Sequence, residues 1–148
     1  MCIRDRGITW DDDGRLWQAE FGQDLWDELN LIEPGADYGW PECEGICDES
    51  GVVDPLVQWH TDQASPSGIA YADGAVWMAA LRGERLWRIE VSGGRVVGQP
   101  QAFLTGDYGR LRTVMVAPDD SLWLTTSNTD GRGVPADGDD RILRLTLD

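Results

Sequence analysis

Apolar and polar residues alternate with period two along most of the chain, and no stretch shows the three-to-four-residue recurrence of an amphipathic helix. Three stretches repeat one pattern: GITWDDDGRLWQAEF from Gly7, GIAYADGAVWMAAL from Gly68 and TVMVAPDDSLWLTTS from Thr113. Each reads as a short apolar strand, a tight turn and a second strand. The turns are Asp13-Gly14, Asp73-Gly74 and Asp119-Asp120, and a tryptophan (Trp17, Trp77, Trp123) follows three residues later. Asp-Gly between alternating runs predicts a two-residue hairpin of type I′, because both central residues then need positive φ. A further alternating strand follows each hairpin: DELNLI, ERLWRIEV and DRILRLTL. The intervals from Gly7 to Gly68 and on to Thr113 are each close to one propeller blade with loop insertions.

This pattern predicts an all-β chain of radially repeated units, about three blades of four antiparallel strands. A β-sandwich is the alternative, but a Trp recurring at one hairpin position favours equivalent units. Trp17, Trp77, Trp87 and Trp123 are expected between blades. Three blades do not close a ring, and an open ring exposes two blade faces, so the chain is expected to be a fragment or to assemble with something else.

Composition narrows the partners. The 148 residues are 41% hydrophobic, enough for a core. The charge of −15, from 27 acidic and 12 basic residues, disfavours a phosphate backbone and favours cations or neutral partners, so no nucleic acid is expected. No apolar run approaches the ~20 residues of a bilayer span, so no membrane span is expected. The opening MCIRDR (1–6) has no signal-peptide pattern and resembles translated adapter sequence, so it is expected to be non-native, with Cys2 carrying no role. The native domain is then 7–148.

The segment EFGQDLWDELNLIEPGADYGWP, Glu20 to Pro41, mixes carboxylates, glycines and aromatic rings. Calcium takes six to eight oxygens from carboxylates and from carbonyls of sharply turning loops, and such a segment supplies both. The bland alternative is a solvated acidic loop. Tyr38, Gly39, Trp40 and Pro41 are expected to fix the turn by packing. Cys43 and Cys47 lack the companion ligands of a zinc site. His60, the one histidine, is expected to be an exposed loop residue rather than a general base.

Three motifs in order carry a resemblance: EFGQDLWDELNLIEPGADYGWPECEG, SPSGIAYADGAVWMAALRGERLWRI and YGRLRTVMVAPDDSLWLTTSNTDGRG. Together they resemble the C-terminal half of the soluble PQQ-dependent sugar dehydrogenases, the glucose/sorbosone dehydrogenase family, and more closely its aldose sugar dehydrogenase branch. The resemblance runs from Gly7 to the end. It implies a six-bladed β-propeller, of which this chain is roughly the last three blades, with the quinone (PQQ) across the top near the axis.

By position, the resemblance assigns the carbonyls of Gly22 and Gln23 to a calcium ion that also holds the cofactor. The glucose dehydrogenase branch often has Pro at the position of Gln23. A second, structural calcium maps to Glu28, Tyr38, Glu44, Ile46 and Asp48. Arg110 and Arg112 match the family's R-x-R pair, whose planar guanidinium forks suit the carboxylates of PQQ. Arg82 falls where the glucose dehydrogenase branch carries a Lys against the cofactor. Trp59 aligns with a Trp that contacts cofactor and substrate, and propeller packing is its equal alternative. Cys43 and Cys47 form either a disulfide, if the protein is exported as family members are, or two free thiols.

The family's catalytic His lies in the N-terminal half, so no catalytic residue is expected here. The Arg-Asn pair before the first hairpin falls at Ile3 and Arg4, inside the foreign-looking segment. The expected parent is a PQQ- and calcium-dependent aldose dehydrogenase, periplasmic or secreted, that oxidises the sugar C1 hydroxyl to a lactone and reduces an external electron acceptor. The isolated fragment is expected to be inactive. A calcium-dependent propeller lactonase and a non-catalytic propeller binding module are the alternatives.

Overall fold

The computed structural model describes residues 4–147, so the expectations for Cys2 and Ile3 lie outside the described residues. Twelve strands and no helix form three antiparallel sheets among those residues. The first contains β1 (Asp5–Trp10), β2 (Leu16–Glu20), β3 (Trp26–Ile32) and β4 (Val57–His60) in sequence order. The second contains β5 (Pro66–Ala72), β6 (Ala75–Ala80) and β7 (Arg85–Ser92), with β8 (Arg95–Val96) and β9 (Gln101–Phe103) both paired to β7. The third contains β10 (Leu111–Val116), β11 (Leu122–Thr126) and β12 (Ile142–Leu145). The blades therefore hold four, five and three strands rather than four each.

The first strand of each sheet is innermost, with β1 packed against β5 and β5 against β10. Period-two alternation decides what lies between the sheets. Trp17, Ala19 and Leu29 of the first sheet meet Ile69, Val76, Met78 and Ile89 of the second in one core. Ala70, Trp77, Ala79 and Leu86 of the second meet Val114, Leu122 and Leu124 of the third in another. The second sheet thus packs both of its faces in these cores, and the first and third pack one each, as successive blades of a propeller do.

Two expectations are corrected. Only the middle hairpin has the two-residue turn, with positive φ at Asp73 and Gly74. In the outer two the carbonyls of Asp11 and Ala117 accept from Gly14 N and Asp120 N, and positive φ falls on Gly14 and Asp120 alone. These are three-residue turns, and Asp11 supports the first by accepting from the backbone of Asp13 and Arg15. Trp123, expected between blades, is 40% exposed, because its face of the third blade meets no further sheet.

Candidate functional site

Arg110 and Arg112 stand at the start of β10, and both guanidinium groups reach one carboxylate oxygen of Asp130, at 3.3 and 3.1 Å. The Asp130 carboxyl is held below its ordinary value, first by the Arg132 N–H it accepts and then, against burial, by the Arg110 charge. Asn128 fixes the backbone beside it: its side-chain oxygen accepts from Arg110 N, and its amide nitrogen donates to Tyr108 O and Asp139. The Arg110 side chain is about nine-tenths buried, and its Nε is a buried donor with no acceptor among the described residues. A buried guanidinium N–H without a partner is costly unless an anion completes it.

These arginines border two clefts at the same end of the blades. One, of about 480 Å³, is lined by Gly22, Gln23, Thr61, Ser65, Arg82, Arg110 and Arg132, among others. The other, of about 290 Å³, shares Phe21, Leu81, Arg110 and Arg132 with it and adds Arg6, Ser67, Arg112 and Asp130. Arg6, Ser67 and Arg112 occupy equivalent places. Each sits where the pairing register of an innermost strand slips by one residue, between Asp5 and Gly7, Pro66 and Gly68, and Leu111 and Thr113. A bulge bends its strand and re-aims the extra residue, and here three bulges aim three side chains at one cleft.

The Gly22 and Gln23 segment is held from below by Asp27, which is fully buried. Its two oxygens accept from Gly22 N at 2.8 Å and Ser65 N at 2.6 Å, tying together two loops that line the larger cleft. Burial, first of all, pushes the Asp27 carboxyl above its ordinary value, against these two donors. Gly22 must be glycine, since a Cβ there would collide with the Trp26 carbonyl and the Glu44 carboxylate. Among the described residues no hydrogen-bond donor reaches the Gly22 or Gln23 carbonyl, so both can face a cation. They therefore suit the calcium position that the resemblance implies.

The residues expected to hold the structural calcium come together less well. Glu44 turns to the 24–26 loop, where its Oε1 accepts from the N–H groups of Asp24, Leu25 and Trp26. Burial opposes ionisation of Glu44, but those three donors outweigh it and hold its carboxyl below the usual value. Glu28 is buried and accepts from Gly45 N and Asn30, and burial raises its carboxyl. Tyr38 and Ile46 are expected to offer backbone carbonyls, and among the described residues no hydrogen-bond donor reaches either one; Ile46 is 60% exposed, and Asp48 is exposed with φ of 55°. No group of three or more His, Cys, Asp or Glu suited to a metal occurs among the described residues. In this arrangement the loop does not fit a calcium cage, because N–H donors already occupy its two best carboxylates.

Cys43 and Cys47 form a disulfide across this loop. Trp59 lies in the first core, 5% exposed, with its ring 5.7 Å from that of Trp87, and it is not among the residues lining either cleft. His60 is exposed at the end of β4 and stacks on Trp26. Arg4 pairs with Glu20 and stacks on Trp40.

Sequence reasoning missed Arg6, Arg132, Asp27, Asn128 and Asp130. A bulge leaves no mark in composition, and the partners of Asp27 and Asp130 are set by loop packing. The only available signal was that Asp27 adjoins Glu28 at the start of an otherwise apolar strand.

Residues 4–144 match the family model described as glucose / sorbosone dehydrogenase. The PQQ-bound aldose sugar dehydrogenase of Streptomyces coelicolor superimposes with a TM-score of 0.92 at 64% identity, over 95% of this chain and 42% of that one. A Thermus thermophilus structure described as an oxidoreductase (glucose dehydrogenase) follows with a TM-score of 0.86 and 39% identity, over 96% of this chain and 45% of that one. The curated aldose sugar dehydrogenase of Escherichia coli is 26% identical over 138 residues, covering 78% of this chain and 36% of that protein. The chain thus spans less than half the length of these relatives.

Proposed function

The chain belongs to the glucose/sorbosone dehydrogenase family, and on that premise we propose that it is the C-terminal half of a PQQ- and calcium-dependent aldose dehydrogenase. Its arginine-lined clefts would hold the quinone. The observation that carries this reading is the convergence of Arg82, Arg110, Arg112 and Arg132 on adjoining clefts of a chain with net charge −15, together with the unpartnered Arg110 Nε. A cationic patch in so acidic a protein is suited to a polycarboxylate.

In this reading Arg110 and Arg112 orient the cofactor, with Asp130 holding both forks in place, and Arg82, which lines the larger cleft with Arg110, adds a further cation. The Gly22 and Gln23 carbonyls would hold calcium, and Asp27 fixes the loop that presents them. When bound, the quinone supplies a hydride acceptor for the C1–H of an aldose, yielding the lactone, and electrons then pass to an external acceptor. The base that takes the hydroxyl proton comes from blades outside this chain, so the chain alone binds without turning over. A periplasmic or secreted location is supported by the Cys43–Cys47 disulfide, since such bonds persist in oxidising compartments.

The test is titration of the purified chain with PQQ and calcium. A saturable shift in quinone absorbance is expected, with no dye reduction on adding glucose. Arg110→Ala should weaken binding about 10- to 100-fold, and Arg112→Ala less, because a charge-assisted hydrogen bond counts for more in a buried site. No absorbance shift, or equal binding by both variants and the parent, defeats the assignment.

A further inference from the structure

Glu44 is a carboxylate that the family resemblance gives to a structural calcium, yet in this fold it serves a different loop. Its Oε1 accepts from Asp24 N at 3.1 Å, Leu25 N at 3.0 Å and Trp26 N at 2.9 Å. Three successive amides aimed at one oxygen form a concave anion site, and here the anion is a side chain 20 residues away from Asp24. Asp24 N and Leu25 N have no other acceptor among the described residues. The carbonyls of the same two residues are taken by Thr61, whose hydroxyl donates to Asp24 O and whose N–H donates to Leu25 O. Glu44 also lies against Gly22, where a Cβ would come within 2.7 Å of its Oε1. The loop is thus fixed right beside the two carbonyls, Gly22 and Gln23, that no donor reaches.

Glu44 can act at this distance because its own segment is pinned. Residues 43–47 lie between β3 and β4 and belong to no strand. The Cys43–Cys47 disulfide closes them into a ring, with Cα atoms 6.0 Å apart. Both sulfurs press on Gly39, where a Cβ would come within 2.5 and 2.9 Å of them. Inside the ring, Gly45 N donates to Glu28 at 2.6 Å, Ile46 N to Gln58 at 2.8 Å and Cys47 N to Asp54 at 2.8 Å. Each of these partners belongs to a different part of the blade, so the ring cannot turn as a unit without breaking several bonds.

We infer that Glu44 is a positioning residue for the calcium and quinone site, acting through the 22–26 loop, and that the Cys43–Cys47 disulfide holds it in place. The inference rests on the proposed function, since it concerns the loop whose carbonyls would take the cation. It gives Glu44 a role outside the ion's own ligands. Partners of that kind fix the orientation of the ligands themselves, and losing one commonly costs about 10- to 100-fold in metal affinity.

Two readouts test it. The first needs no ligand: in Glu44→Ala the amides of Asp24 and Leu25 should exchange with solvent deuterium at least about 10-fold faster, while those of β5 and β6 keep their protection. The second is a titration of calcium into the chain with PQQ present, followed by quinone absorbance. Glu44→Ala should weaken calcium binding about 10- to 100-fold. Glu44→Gln should recover part of the loss, because its side-chain oxygen can accept from the same amides, though less strongly than a carboxylate.

The double variant Cys43→Ser, Cys47→Ser should shift affinity in the same direction. Added to Glu44→Ala it should cost little more, because both changes act through one contact. Unchanged exchange at Asp24 and Leu25, a rise in exchange spread evenly over all three blades, or fully additive losses would each overturn the inference. A parent chain that binds neither calcium nor quinone brings down the proposed function and this inference with it. Equal calcium binding by the parent and Glu44→Ala brings down the inference alone.

Discussion

Asp27 is a fully buried carboxylate at the start of a strand, where apolar burial would be the default. Its position is explained by two backbone N–H groups, from Gly22 and Ser65, that have no strand partner and would otherwise be buried unsatisfied. Asp27→Ala removes both acceptors, and a loss of about 2–4 kcal/mol in urea unfolding is expected. Because Gly22 and Ser65 line the larger cleft, quinone affinity should fall as well, even under conditions where the variant is fully folded. A variant as stable as the parent would show that water or backbone rearrangement satisfies those donors. Arg110 illustrates the converse, a buried group whose Nε finds no acceptor among the described residues.

At the scale of elements, the hairpin turns of the outer blades are built on aspartates rather than on the Asp-Gly pair alone. In the third blade Asp119 accepts from the hydroxyl and N–H of Ser121 and from Arg144 on the neighbouring strand, which lowers its pKa to about 2. A carboxylate with a depressed folded-state pKa stabilises the fold above its unfolded pKa, near 4, and loses that contribution as pH falls through the folded value. The melting temperature of the parent should therefore drop more steeply between about pH 4 and pH 2 than that of Asp119→Asn. Parallel curves for the two proteins would mean that solvent screening has removed the effect. The recurring bulges belong to this scale too. They turn one residue of each innermost strand toward the clefts, and so allow strands whose faces are otherwise committed to the core to furnish polar groups.

The whole molecule is dominated by its charge. With 27 acidic and 12 basic residues, like charges repel across a small fold. Raising salt from about 10 mM to 150 mM shortens the screening length from about 30 Å to 8 Å. The melting temperature should rise over that range. A fall would mean that attractive pairs such as Arg144–Asp119 outweigh the net repulsion. The described residues include no helix able to cross a membrane.

The sequence by itself determined the strands, the three-fold repeat and the arginine pair, because period-two alternation, Asp-bearing turns and an R-x-R spacing are local and survive in any fold that uses them. Trp17 and Trp77 are buried as their shared hairpin position predicts. Tertiary structure alone decided that Trp123 is exposed, since a tryptophan's burial depends on whether another blade lies against it. It also decided that Glu44 caps a loop instead of offering its oxygens to a metal, and that Trp59 packs in the core rather than lining a cleft. Asp27 and Asp130 acquire their roles from groups that folding brings to them, across 38 residues between Asp27 and Ser65 and 20 between Arg110 and Asp130. No local pattern specifies such a meeting, because it is fixed by how strands pack around the axis.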